Sequence, residues 1–551
     1  MKFNYTILII SSLVLITVTQ TLAQTNDKIE HSEDRLLGRR IKGENVNVLV
    51  GNVEFRQPKT IINCDSAIFY PNKNSLEAFG RVKIYDKVDS VTITSRKLTY
   101  DGNSRLAKIR ENVVYKDDSV LLYTDHLDYD MINRSAKYFN GGRVVDQENT
   151  LTSTNGFYDT EANVLTFTNN VKVTNPEYIL EGENLVYNLI TNIAVINSPN
   201  TITRSDGTVL NAEQGSEFNI NDYEYIFSVS EIETESYILS ADRMFFDDLR
   251  DYYKAEGNVK LIGKENEVIV TGKEAYHQKP LGITVIYGDP IMKKNAQGDT
   301  LYLTADTLRS IDSEIPKDRR MLGYHNVKVY KTGLRGKADS LSYHLSDSLI
   351  YFYNDPILWN HETQITADSI SVTINNGLLD ELVTKRNSFI ISEDSTKNYQ
   401  QLKGRDMVSK FADNRIVSVD IYGNGESNYF ELENNSEALM GMNNIICSTM
   451  KIRFKNNRVQ TISYYTNPDG KFIPVHELRE DEKFLAGFNW RIKERPELWQ
   501  ILDISQEEFE REYNKPITPE AQTEMREMER QDIEDPEVLN KLLPEEESQP
   551  K

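Results

Sequence analysis

Apolar and polar residues alternate with period two along most of this chain. A glycine or asparagine precedes a short alternating run, as in Gly51-Asn52-Val53-Glu54-Phe55 and Gly80-Arg81-Val82-Lys83-Ile84. The phrase returns as Asn170-Val171-Lys172-Val173, Gly257-Asn258-Val259-Lys260-Leu261 and Asn326-Val327-Lys328-Val329. Such alternation predicts strands with one buried face, and the glycine or asparagine suits the turn that enters each strand. A second phrase falls between copies of the first: a small residue, an aspartate, then apolar and aromatic positions. Examples are Asp65-Ser66-Ala67-Ile68-Phe69, Ala241-Asp242-Arg243-Met244-Phe245-Phe246, Ala305-Asp306-Thr307-Leu308, Ala338-Asp339-Ser340-Leu341-Ser342-Tyr343 and Ala367-Asp368-Ser369-Ile370. The aromatic ends Phe69, Tyr100, Tyr129, Tyr158, Tyr187, Phe218, Phe246 and Tyr276 step by 28 to 31 residues. A period in this range marks a stacked array in which each repeat buries the next. The recurring aspartate reads as a structural ladder, its carboxylate accepting backbone N–H groups at turns.

The flanks break the pattern. Lys2, an apolar run from Tyr5 to Val18 and Thr21-Leu22-Ala23 predict a signal peptide over residues 1–23, and hence export. The run is short for a bilayer span of about 20 residues. Charged residues 24–45 are expected to be a flexible leader, and 46–465 the array. After Pro468, residues 466–500 carry Phe488-Asn489-Trp490-Arg491. This segment is expected to cap the array, with partner recognition as the other reading. Residues 501–551 are helical at first and then strongly acidic, a composition that predicts a solvated, disordered tail.

A net charge of -22 argues against nucleic acid as a partner, which needs a basic stripe. Cys64 and Cys447, near opposite ends of the array, are expected to be buried free thiols. The seven histidines form no metal-binding pair, and no phosphate loop or nucleophile elbow occurs. The chain therefore reads as a non-enzyme with no catalytic residues, no metal and no cofactor. A parallel β-helix enzyme acting on polysaccharide is the enzymatic rival, disfavoured by the antiparallel-type alternation.

The two phrases, paired at Gly51 to Phe69, Gly257 to Tyr276 and Asn326 to Tyr343, resemble the OstA-like family, also called LptA-like or organic-solvent-tolerance domains. The resemblance covers most of residues 45–420 and implies an all-β fold: an elongated, open-ended repeat β-jellyroll, here with a short helical acidic C-terminal tail. It implies a groove that holds the lipid A acyl chains of lipopolysaccharide, and a periplasmic transport or bridge role in outer-membrane assembly, with association at the inner face of the outer membrane. Implied partners are lipopolysaccharide, other jellyroll proteins joined edge to edge by β-augmentation, and an outer-membrane translocon. The array is longer than a single-domain bridge protein and is followed by no transmembrane barrel. Candidate lining residues are the apolar members of the alternating pairs: Val53, Phe55, Val82, Ile84, Val171, Val173, Val259, Leu261, Val327 and Val329. The alternative is a structural spacer of the cell envelope with a closed core and no lipid cargo.

Overall fold

The computed structural model describes residues 28–41, 43–146, 149–264, 267–296, 299–433, 438–455 and 458–513. The expected signal peptide over 1–23 and the acidic end of the expected tail lie outside these residues. The chain divides into two compact units, Met1–Ser205 and Asp206–Lys551. Both are all-β and antiparallel, with helix confined to short turns and to Leu498–Ile501 and Gln506–Tyr513 near the C-terminus.

In the first unit, Glu44–Gln57, Thr60–Tyr70, Ser75–Asp86, Val91–Asp101, Leu106–Lys116 and Leu121–Asp130 each pair antiparallel with the next. Every one of these pairings shifts register once near its middle, as between Val50 and Val53 or Phe79 and Val82. The shift is a corner. Buried positions on Thr60–Tyr70 run Thr60, Ile62, Cys64, then Ala67, Phe69, with Asp65 and Ser66 both turned outward between them. Each strand thus contributes one half to each of two facing layers. Ring contacts cross the interior, Phe55 to Phe69 at 5.9 Å and Tyr115 to Tyr129 at 6.2 Å. Further along, the corner becomes a break. Ser135–Tyr138 and Gly142–Asp146 are two short strands, yet both pair with Leu121–Asp130.

The glycine and asparagine phrases build these corners. Left-handed backbone occurs at Gly51 and Asn52, Glu111 and Asn112, Asn169 and Asn170, Gly257 and Asn258, His325 and Asn326, and Arg386 and Asn387. The recurring aspartates hold them. Asp65 accepts the Arg81 backbone N–H at 3.0 Å, Asp125 that of Asn112 at 2.9 Å, and Asp406 that of Arg386 at 3.1 Å. Asp242, Asp306 and Asp368 accept the side-chain amides of Asn258, Asn326 and Asn387 at 2.9 Å each. At Gly80, φ is +94° and a Cβ would lie 2.4 Å from the Asp65 carboxylate, so only glycine fits.

The flexible leader expected over 24–45 is replaced by strand from Glu30. Glu30–Ser32 and Arg35–Ile41 pair with Glu44–Gln57. Arg35–Ile41 buries no residue fully, so backbone pairing rather than apolar alternation places it, and the sequence pattern carries no trace of it. His31 lies against Phe69, ring centroids 5.3 Å apart, and starts the interior.

The second unit repeats the plan. Long strands such as Tyr252–Gly263, Val268–Gln278, Arg320–Lys331 and Leu334–His344 pair antiparallel, and its four longest run from Leu378 to Lys455. Pairing continues past the boundary expected at 465, because Asp469–Pro474 pairs with Gly441–Ile446. The segment expected to be a cap lies across the outward side of this unit's sheet. Gln401 accepts the Leu485 N–H at 2.8 Å and donates to the Lys483 carbonyl at 2.7 Å. Gln364 does the same for Arg491 N–H and the Asn489 carbonyl, at 2.6 and 2.7 Å. Each buried glutamine amide thus supplies the donor and acceptor that a neighbouring strand would. Leu485, Phe488 and Trp490 pack on Phe389, Ile391 and Tyr399.

Candidate functional site

Inward-facing residues form cross-strand rows, and one row in each unit carries five of the ten predicted lining residues: Phe55, Ile84 and Val173 in the first, Leu261 and Val329 in the second. In the first unit the row runs Phe55, Ile62, Ile84, Ile93, Tyr115, Leu122, Val144, Leu151, Val173, Leu180 and Ile202, each paired with the next. From Phe55 to Leu122 its members are buried, with Ile84 and Ile93 at 0% exposure. Val144, Leu151 and Val173 are only half-buried, and burial resumes at Leu180. A contiguous apolar stretch of the inner row is therefore open to solvent.

In the second unit the row runs Leu210, Ile232, Leu239, Leu261, Val270, Met292, Leu303 and Val329. Leu239 and Leu261 are half-buried while Val270 onward is sealed. Of the ten candidates, Val53, Phe55, Val82, Ile84, Val171, Val259, Val327 and Val329 are buried. Val173 and Leu261 are the two half-buried ones, each in the open stretch of its own unit. Alternation identified the inner face but not where it opens: the open stretches are completed by Val144, Leu151 and Leu239, which lie outside the ten candidates. Deeper in the second unit, a cavity of about 280 Å³ is lined by Ile390, Leu402, Val419, Ile452 and Ile462, with Glu393 and Gln400 also in its wall.

A polar seam closes the layers along the sealed part of the first unit. The repeating tyrosines of the second phrase reach back to turn residues. The Tyr100 hydroxyl donates to Gln57 at 2.5 Å, and that of Tyr129 to Asp86 at 3.0 Å and Asp89 at 3.2 Å. Arg134 neutralises Asp89 at 2.7 Å. Burial drives the Tyr100 and Tyr129 hydroxyls far above the usual phenol range, and the aspartates beside Tyr129 add to its shift. These phenols stay protonated and serve as permanent donors. In the second unit Lys294 takes the same part, donating to the Tyr343 hydroxyl at 2.9 Å. The seam was invisible to motif reading because its partners lie about 43 residues apart, one and a half repeats.

Among the described residues no group of histidine, cysteine and carboxylate side chains could hold a metal, and no helix is long and apolar enough to cross a membrane. Cys64 and Cys447 are buried free thiols, and burial pushes the Cys64 thiol up to about 11.

Residues 25–183 match the family described as OstA-like protein, the family that the paired phrases resemble. The matched stretch includes the open row at Val144, Leu151 and Val173. No curated protein matches the chain. Among solved structures, the crystal structure of LptH from Pseudomonas aeruginosa is similar in part. It is described as the LptA homologous periplasmic component of the conserved lipopolysaccharide transport device. It is 14% identical, with 21% of this chain and 82% of that chain covered and a TM-score of 0.19.

Proposed function

We propose that this protein is an exported periplasmic carrier that shelters the acyl chains of lipopolysaccharide in its apolar interior during outer-membrane assembly. The observation that carries the reading is the open stretch of the inner row, Val144, Leu151 and Val173, continuous with a sealed apolar interior on either side. Leaving such residues half-exposed costs about 25 cal/mol per Å² of apolar surface, and covering an acyl chain returns about 0.8 kcal/mol per CH2. The match to the OstA-like family over the same residues supports this use. Exposed strand edges are the means of joining to like domains of a transport bridge and to an outer-membrane translocon. The protein acts by binding and handing on, not by catalysis.

The sealed row from Ile62 to Tyr115 favours a second reading for that part of the molecule, a structural spacer with no cargo. Binding of a fluorescent fatty acid to the mature chain separates the two. Val173→Asp and Leu151→Asp should each weaken binding by about tenfold or more, because a carboxylate in an acyl path must be desolvated. Ile93→Val should leave it unchanged. No saturable binding by the wild type would leave the spacer as the function.

A further inference from the structure

The outward face of the second unit carries a regular aromatic stripe that the carrier reading does not use. Tyr287, Thr307, Tyr324, Ser340 and Tyr353 are directly paired across five successive neighbours in one sheet. The three tyrosines are 38%, 37% and 41% exposed. With strands about 4.8 Å apart, a tyrosine recurs roughly every 10 Å along the row, separated each time by a hydroxyl residue.

Two arginines lie beside the stripe on the same face. Arg309 pairs with Leu322, two residues from Tyr324, and Arg320 pairs with Ile311 and His344. Among the described residues neither guanidinium has an ion-pair or hydrogen-bond partner, and Arg309 Nε is buried without one. Asp312 is taken by Arg319. The aspartates adjacent in sequence to Thr307 and Ser340 are engaged at the corners, Asp306 with Asn326 and Asp339 with His325 and Ser340. In a chain of net charge -22, these are two unpaired cations beside aromatic rings, and Glu274, the residue paired with Tyr287, lies 3.7 Å from Lys254.

We infer that this stripe binds an anionic saccharide chain. A sugar ring presents an apolar C–H face that settles on an aromatic face, and its hydroxyls match the interleaved Thr307 and Ser340 hydroxyls. Carboxylate or phosphate substituents supply the charge that Arg309 and Arg320 lack, through two-pronged guanidinium contacts. The stripe lies on the outside of the sheet, so it is independent of the acyl interior and stands or falls without it.

The test uses the full mature chain and acyl-free probes: oligogalacturonate, neutral maltohexaose and poly-glutamate, followed by calorimetry. Oligogalacturonate should bind, maltohexaose should bind at least about tenfold more weakly, and Arg309→Gln and Arg320→Gln should each cost about tenfold. Tyr324→Ser and Tyr353→Ser, at exposed positions, should weaken oligogalacturonate binding while leaving the thermal transition in place. Absence of oligogalacturonate binding would overturn the inference. So would equal binding of poly-glutamate that is unmoved by Tyr324→Ser, which would mark the patch as a site for acidic peptide.

Discussion

Single residues hold the corners on which the repeat depends. Gly80 has φ +94°, and Asp65 fills the space a side chain would need. Gly80→Ala should destabilise the first unit by about 1–3 kcal/mol, the cost of forced left-handed backbone, read as a lowered urea midpoint. Asn52, in the same role, is already a side-chain residue in the left-handed region at φ 44°. Asn52→Ala should cost less, through loss of its 2.9 Å bond to the exposed Asp34. Thiol chemistry gives a separate check. Cys64 is buried with its thiol pushed up to about 11, so it should resist alkylation at pH 8 in the native protein and react on unfolding. A native Cys64 that labels quickly would show that the interior beside the sealed row is open. At this scale the sequence was highly legible: the phrase residues are the corner residues, and the recurring aspartate bonds at the turns. What could not be read was each bonding partner, since Asp65 meets Arg81 in the adjoining strand and Tyr129 meets Asp86 from another repeat.

Among the elements, the segment after Pro474 makes the sharpest prediction. Arg491 first, then Lys337, holds the Glu494 carboxylate down at about 2, well below its ordinary 4.5. A depressed carboxylate stabilises the folded state above the unfolded value, and that contribution is lost as pH falls through the folded value. Attachment of residues 480–495 should therefore be intact above pH 4.5 and weaken between pH 4.5 and about 2. Hydrogen exchange of this segment should rise across that window, and Glu494→Gln should flatten the dependence. Gln401→Ala should loosen the same segment at neutral pH by about 1–3 kcal/mol, because it strands the Leu485 N–H and leaves the Lys483 carbonyl with only the Asn428 amide. Strand alternation foretold the long elements, but not this one. A segment held by side-chain amides, ion pairs and a few aromatic contacts has no periodicity to read. The strand Arg35–Ile41 was missed for the same reason, since it is paired by backbone and buries almost nothing.

For the molecule as a whole, the proposed interior is an acyl path that opens at Val144, Leu151 and Val173 in the first unit and at Leu239 and Leu261 in the second. Composition and period identified an all-β repeat, and the inner face followed from alternation at Val53, Val82 and Val327. The open stretches did not follow, because exposure depends on how closely the two layers meet rather than on which residues face in. The direct measurement is photo-crosslinking in intact cells, with the reactive amino acid at Leu151 and Val173 on the inner row and at Thr152 and Lys172, their neighbours on the opposite face. Lipopolysaccharide adducts are expected at Leu151 and Val173 and none at Thr152 and Lys172. Adducts at neither pair in a folded, exported protein would contradict the acyl path and leave a spacer.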